Sequence, residues 1–310
     1  MFPTVEKQSL VMGLADLARW ADGFNVAKRA EGLSRRTQTI YRQNLAAFVA
    51  FALANGAEDV EHVDADLIRQ WLLSLEEHGH NPAGVHQFYR TLKTFLNWYE
   101  LEAAADGWRN PIKRVKSPKL PEKLLPPVEV ADFQAIVDVC KGDREAERDR
   151  AILLTLFDSG VRAAELCALD VGDFDTVTGA LTVKHGKGGK VRAVFAGQKT
   201  RRALRAYLKE RGNVNDDAPL FATRSKTRLT YMGLRSMIKR RADAAGVHPP
   251  AVHAFRRGCA LALLRNGADV VSVARVLGHR DLTVVQRYLK QTPEDLRQAH
   301  AAASPVDRAG

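Results

Sequence analysis

The chain has 310 residues, a length that suits two domains of ordinary size. Its hydrophobic content of 45% is typical of a globular protein. No apolar run approaches the roughly 20 residues that cross a bilayer, and the N-terminus lacks the features of a signal peptide. Cys140, Cys167 and Cys259 lie far apart without C-x-x-C spacing. Cys167 and Cys259 lie within apolar helical patterns, so we expect them to be reduced core residues of a cytoplasmic protein, with no role for a membrane.

The net charge of +11 arises in the part of the chain after residue 117. Residues 1–117 contain 14 basic and 14 acidic side chains, so they balance. Within 181–241 there are 17 basic and three acidic residues. A basic stretch of this density is expected of a protein that binds a polyanion such as nucleic acid, although a solvated basic surface has the same composition.

A proline-rich segment separates the two predicted domains. Prolines recur from Pro111 to Pro127, and each fixes its own backbone and restricts the residue before it. We therefore expect a first domain over 1–108, an extended linker over 109–127 and a second domain over 128–310.

Apolar residues at helical spacing predict four helices in the first domain. They lie near 14–24, from the N-cap Ser34 onwards, over about 65–77 and over about 81–100. The polar sides of the second and fourth helices carry five basic residues that are candidates for contacts to DNA phosphates: Arg35, Arg36, Arg42, Arg90 and Lys93. Surface arginines and lysines of this kind are more often simply solvated.

The second domain mixes helices with one short hairpin. Residues 180–185 and 190–195 have strand character and are joined by the turn sequence GKGG. Helical patterns cover the rest of the domain: 129–140, 145–158, a helix through Arg162 to Ala168, 198–211, 230–245, 251–266, 269–277 and 281–290.

Four segments of the second domain contain the residues that metal-free cleavage of a phosphodiester requires. Such a reaction needs fixed cations on the phosphate, a nucleophile in line and an acid for the leaving oxygen. The segments are GVRAAEL at 160–166, GKGGKVR at 186–192, HAFR at 253–256, and LGH at 277–279 followed by Tyr288. Arginine suits the first role because its planar fork pairs with two phosphate oxygens.

In order and spacing these four segments resemble the motifs of the tyrosine recombinase, or phage integrase, family. The resemblance covers 127–290, and the helical first domain is similar to the core-binding domain of that family. It implies an all-α, four-helix (SAM-like) core-binding domain followed by a mainly helical catalytic domain with a small antiparallel β-hairpin. The chain differs from the most common residues of the family motif at Phe255 and Arg257. Neither position takes part in the chemical step.

The resemblance also implies a role for each cationic residue of the site. Arg162 and Arg256 would clamp the scissile phosphate, while His253 and His279 would donate hydrogen bonds to it. His253 could also accept the proton of the nucleophile. Each residue has a plainer interpretation, such as an ordinary i, i+3 ion pair on a helix between Arg162 and Glu165. In the functional interpretation Glu165 is a supporting residue that orients Arg162 and is not catalytic.

The remaining roles fall to the hairpin lysine and to the tyrosine. Lys187 would protonate the departing 5′ oxygen, with Lys190 as its rival for that role. Tyr288 would attack the phosphate to form a 3′-phosphotyrosyl link, which keeps the energy of the broken bond and needs neither metal nor other cofactor.

The function so implied is site-specific recombination of double-stranded DNA at inverted-repeat sites, within a homotetramer on DNA. The protein would lie in the cytoplasm, associated with the nucleoid when bound, and any accessory DNA-bending proteins are unspecified. Both a Xer-like resolvase and a mobile-element integrase fit this description. Two other interpretations remain open at this point: a relaxase similar to type IB topoisomerases, and a DNA-binding regulator without activity.

Overall fold

The computed structural model describes residues 16–121, 126–184 and 191–278, together with residues 297, 300, 301, 304, 306 and 307. Contacts divide the chain between residues 123 and 124 into two compact units. This division falls inside the proline-rich segment predicted as a linker. Each unit has a hydrophobic core of its own.

The first unit contains four α-helices among the described residues. They are α1 (Asp16–Ala30), α2 (Arg35–Ala54), α3 (Ala65–Glu77) and α4 (Pro82–Glu102). Polar side chains begin three of them, as the sequence suggests for α2: Ser34 accepts a hydrogen bond from the backbone N–H of Thr37 at 3.2 Å, while Asp64 and Asn81 cap α3 and α4.

The core of the first unit also includes the start of the predicted linker. Ile112 and Val115 are buried with the helical residues, and the Tyr89 hydroxyl donates to the carbonyl of Val115 at 3.0 Å. A 3-10 turn, Pro111–Arg114, forms there because the Asn110 side chain accepts from the N–H of Ile112. The expectation of an extended segment from residue 109 was therefore wrong for these residues.

The second unit is mainly helical with one two-stranded antiparallel sheet. Its described elements are α5 (Val130–Asp138), α6 (Ala146–Ser159), α7 (Ala163–Ala168), β1 (Ala180–Val183), β2 (Arg192–Phe195), α8 (Gln198–Arg211), α9 (Tyr231–Ala244), α10 (Val252–Arg265) and α11 (Val270–Leu277). In the sheet, Leu181 lies opposite Val194. The predicted helix over 281–290 lies outside the described residues.

Helix α6 is the centre of the second unit. Its apolar residues Ile152, Leu153 and Leu156 are fully buried, and the helix packs on both α8 and α10. Near its end, Asp158 accepts hydrogen bonds from the N–H of Gly197 at 2.7 Å and from the Thr200 hydroxyl at 2.6 Å. The end of α6 is thereby fixed to the start of α8.

All three cysteines are buried and form no disulfide. Burial raises the pKa of the Cys140 and Cys167 thiols to about 11, which is the behaviour of inert core residues. Among the residues that the structure describes, no helix combines the length and the apolar composition needed to cross a membrane.

A methyl group on Gly258 should destabilise the second unit. In the middle of α10 its Cβ would lie 2.6 Å from the Val128 carbonyl and 2.7 Å from the Phe157 ring, so backbone must move. We expect Gly258→Ala to lower the free energy of unfolding by ~1–3 kcal/mol, measured by urea unfolding followed by circular dichroism.

The matched control is Gly23→Ala in α1, where the added methyl would meet only the Trp98 ring at an ordinary 3.6 Å. That substitution should be neutral or stabilising by about 0.5–1 kcal/mol, since alanine restricts the unfolded chain more than glycine does. Unchanged stability in Gly258→Ala would contradict the packing described for α10.

Candidate active site

Three of the predicted motif segments come together in the second unit. The Arg256 guanidinium donates from Nη1 to the carbonyl of Gly160 at 2.6 Å and from Nη2 to the carbonyl of Leu277. These bonds join the first turn of α10 to the end of α6 and to the end of α11. Arg256 is only 1% exposed, so it connects the segments from the inside.

Gly160 allows this close approach. Its φ of 61° lies in the left-handed region, and a Cβ there would sit 2.6 Å from the Leu277 side chain and 3.1 Å from the Cys259 sulfur. Any other residue would therefore strain the backbone and separate α6 from α11. The glycine of the first motif places the start of α7, and with it Arg162, against the rest of the site.

Glu165 binds the phosphate-clamp candidate Arg162 in two ways. One carboxylate oxygen accepts the backbone N–H of Arg162 at 2.8 Å, which caps α7, and the other accepts Nη1 of the Arg162 guanidinium at 2.8 Å. The Arg162 side chain is 30% exposed, whereas that of Glu165 is 3% exposed. The carboxylate thus orients Arg162, as the sequence suggested.

Arg192 is a third member of this cluster. Its Nη1 and Nη2 donate to the two oxygens of Glu165 at 2.9 and 2.7 Å, a bidentate pair. Burial alone would raise the pKa of Glu165, but the hydrogen bonds from Arg192 and Arg162 lower it to about 2. The carboxylate is therefore ionised at neutral pH.

Arg192 had no role in the sequence interpretation, although a signal for one was present. In β2 it lies on the same face as Val194, which is buried, because side chains alternate along a strand. A charged residue on an inward face needs a partner of opposite charge. That partner, Glu165, lies in a different motif, 27 residues away.

His253 lies exposed at the first turn of α10. Partial removal from water, and then the positive charges of Arg256, Arg257 and Arg162, lower the pKa of its imidazole below 6.5. At neutral pH the ring is therefore uncharged. A neutral imidazole offers both a donor and an acceptor nitrogen, which suits a group that binds phosphate and accepts a proton.

Phe255 and Arg257, which differ from the most common residues of the family motif, have structural roles. Phe255 is fully buried in the core of the second unit. Arg257 is 7% exposed, and its Nε and Nη2 donate to the carbonyl of Pro126 at 3.1 and 2.8 Å.

Several predicted site residues lie outside the described residues. They are Lys187 and its rival Lys190 in the hairpin, His279 after α11, and the predicted nucleophile Tyr288. Within the described ranges, no group of three or more His, Cys, Asp or Glu side chains is placed to hold a metal ion.

The basic candidates of the first unit lie on its surface. Arg35, Arg36, Arg42, Arg90 and Lys93 are all exposed on α2 and α4. A cavity of about 310 Å³ opens along these two helices, and its lining mixes polar residues such as Gln87 and Arg90 with apolar ones such as Ile40 and Ala83. Of the five candidates, Arg90 lines this cavity.

Part of the basic stretch in the second unit serves the fold. In the described part of 181–241, seven basic residues form ion pairs: Lys184, Arg192, Arg224, Arg228, Lys239, Arg240 and Arg241. The fully buried Asp149, for example, accepts hydrogen bonds from Arg240 and Arg241 at 2.9 Å each. The charge available to a polyanion is correspondingly smaller than the sequence count.

Comparison with known proteins adds independent findings. Residues 128–295 match the model of the phage integrase family. The tyrosine recombinase XerC of Pelobacter propionicus is 32% identical over 289 residues, which are 89% of this chain and 91% of that protein. The similarity therefore extends beyond the second unit into the helical first unit.

Solved structures share the fold at lower identity. A XerH site-specific recombinase bound to a palindromic difH substrate, in a post-cleavage complex, is 20% identical, with a TM-score of 0.72 over 91% of this chain and 84% of that one. A lambda integrase tetramer bound to a Holliday junction is 17% identical, with a TM-score of 0.73 over 88% and 76%. These structures share the mainly helical fold.

The lowered pKa of His253 predicts how stability depends on pH. At a pH between 6.5 and the lower pKa of His253 in the folded protein, the unfolded chain binds a proton at this residue and the folded protein does not. Stability from this source is therefore complete above pH 6.5 and is lost as the pH falls through that window. Measured by urea unfolding, the free energy of unfolding should fall less between neutral and acid pH in His253→Gln than in the wild type. Superimposable pH profiles for the two proteins would contradict this prediction.

Proposed function

This chain belongs to the phage integrase family and is a tyrosine site-specific recombinase, and on that premise we propose that Tyr288 is its nucleophile. The tyrosine oxygen attacks the scissile phosphorus, the bond from phosphorus to the 5′ oxygen breaks, and a 3′-phosphotyrosyl link forms. A 5′-hydroxyl of a second duplex then reverses the step and releases the tyrosine. Because bond energy is kept in the covalent link, no ATP is consumed.

The observation that best supports this proposal is the orientation of Arg162 by Glu165. The guanidinium is fixed through Nη1 while the side chain remains 30% exposed, so its other N–H groups are accessible to a phosphate. A preorganised donor of this kind stabilises the charge that develops on the non-bridging oxygens in the transition state. Arg256 is assigned the second guanidinium of the clamp; because it is 1% exposed and both of its Nη atoms donate to backbone carbonyls, this role requires one of its N–H groups to reach the phosphate when DNA binds.

Proton transfer is assigned to His253 and Lys187. The neutral imidazole of His253 accepts the proton of Tyr288 as the new bond to phosphorus forms. Lys187 gives a proton to the departing 5′ oxygen, with Lys190 as the alternative donor, and His279 donates a hydrogen bond to the phosphate. No step uses a metal ion, because guanidinium and ammonium groups provide the positive charge.

Duplex binding is assigned jointly to the helical domain of residues 1–108 and the catalytic domain of 128–310. The exposed basic residues of α2 and α4, Arg35, Arg36, Arg42, Arg90 and Lys93, would contact phosphates. The solved complexes of XerH with a palindromic substrate and of tetrameric lambda integrase support inverted-repeat sites and a tetrameric assembly for this chain. Affinity should fall steeply with salt, as counterion release requires.

Replacing Tyr288 with phenylalanine should abolish covalent attachment to DNA and leave binding intact. The change removes one oxygen and keeps the ring. The probe is a duplex that the full-length protein has selected from a random pool, nicked close to the scissile phosphate so that the adduct is trapped. A denaturing gel should show a protease-sensitive adduct for the wild type, formed in excess EDTA.

Tyr231→Phe is the matched control, since Tyr231 is an exposed tyrosine in α9 of the same unit; it should form the adduct at the wild-type rate. An adduct in Tyr288→Phe would mean that another residue is the nucleophile. A strict requirement for magnesium in the chemical step would contradict the mechanism.

A further inference from the structure

We propose that Arg192 is a positioning residue that offsets the charge of Glu165, so that Arg162 presents an uncancelled positive charge to the scissile phosphate. This inference rests on the proposed function. Arg192 does not contact the phosphate in this account; it acts on Arg162 through the shared carboxylate.

Two arginines bind the Glu165 carboxylate. All four described hydrogen bonds to Glu165 come from two residues: the N–H and Nη1 of Arg162, and Nη1 and Nη2 of Arg192. The Glu165 side chain is 3% exposed, and that of Arg192 is 18% exposed. Water therefore contributes little to the balance of charge at the carboxylate.

The net charge of this cluster depends on Arg192. A carboxylate paired with Arg162 alone would form a neutral ion pair, and in a poorly solvated site that cancellation is stronger than in water. Such a pair attracts a phosphate much less than a free guanidinium does. With Arg192 bound to the same carboxylate, the cluster holds two positive groups and one negative group, so one net positive charge remains.

The carboxylate of Glu165 is needed for the geometry of the site. Glu165 caps α7 through the backbone N–H of Arg162 and orients the Arg162 guanidinium. An apolar residue at position 165 would do neither. The site therefore uses a carboxylate for geometry and a second arginine to restore the charge that the carboxylate removes.

The surroundings of Arg192 are shaped to hold it there. Its strand places the side chain on the inward face of β2, and Gly278 leaves room beside it: a Cβ on Gly278 would lie 2.9 Å from Nε of Arg192. Gly278 also has a φ of 65°, so both conformation and space favour glycine at this position.

The test is a double-mutant cycle on the rate of adduct formation, with full-length proteins and the selected, nicked duplex. Arg192→Gln removes the offsetting charge and should slow cleavage by about 10²–10³-fold. Arg192→Lys keeps the charge and should stay within roughly 10-fold of wild type. In the double variant Glu165→Gln/Arg192→Gln the cluster regains one net positive charge, so cleavage should be faster than in Arg192→Gln.

A second substrate separates charge from structure. A methylphosphonate at the scissile position replaces one non-bridging oxygen with a neutral methyl group, so less charge has to be stabilised. The ratio of wild-type to Arg192→Gln rates should therefore shrink on this substrate. A variant that had only lost local structure would show the same ratio on both substrates.

Arg211→Gln is the matched control, because Arg211 is a partly buried arginine that donates to the carbonyls of Pro219 and Leu220, away from the motif segments. It should cleave at the wild-type rate at temperatures where it is folded. If Arg192→Gln fails to fold, the test is the comparison of Glu165→Gln with the double variant. Because neither has the carboxylate, the loss of Arg192 should slow cleavage between them by much less than 10²-fold.

Wild-type rates in Arg192→Gln, or a double variant as slow as Arg192→Gln, would overturn the inference and leave the proposed function standing. A wild-type protein that binds the selected duplex and forms no adduct would overturn the proposed function, and the inference with it.

Discussion

The buried carboxylate of Glu165 is the constraint on which the rest of the candidate active site depends. It is ionised, almost fully removed from water, and shared by the backbone and guanidinium of Arg162 and by the fork of Arg192. A buried charge needs such partners, because leaving it unpaired costs several kcal/mol. The same bonds that stabilise the carboxylate therefore fix the two arginines in one arrangement.

The fold around this cluster is built to keep the motif segments together. Gly160 ends α6 in a left-handed conformation and lets α11 approach, while Arg256 joins α6 to α11 from α10 through two carbonyls. The packing that stabilises the second unit and the geometry of the site are thus the same set of contacts. Substitutions at these positions should alter stability and activity together, unlike substitutions of groups that act only in the chemical step.

Much of the local structure follows from the sequence because it depends on neighbours. Helical spacing and the Ser34 cap predict α2, and the glycine-rich turn with flanking strand residues predicts that β1 and β2 pair. The 3-10 turn at Pro111–Arg114 could not be predicted in this way, because it depends on Asn110 and on burial of Ile112 against a distant helix. Proline density indicates where helix is disfavoured and says little about packing.

The site was predictable in its residue types and not in its electrostatics. Motif order proposes Arg162, His253 and Arg256 as candidates, but it does not reveal the pairing of Arg192 with Glu165, which links a strand to a helix 27 residues away. The ion pairs of the basic stretch could not be predicted for the same reason: Arg240 and Arg241 bind the buried Asp149, which is distant in the sequence. A count of charges cannot distinguish such internal partners from a surface available to DNA.

The most direct test of this account is an experimental structure of the Tyr288→Phe protein bound to its selected duplex. We expect the guanidinium groups of Arg162 and Arg256 to contact one phosphate, with the ring of residue 288 beside it, while Arg192 keeps both bonds to Glu165. A scissile phosphate bound away from Arg162, or an Arg192 that leaves Glu165 to bind the phosphate itself, would contradict it.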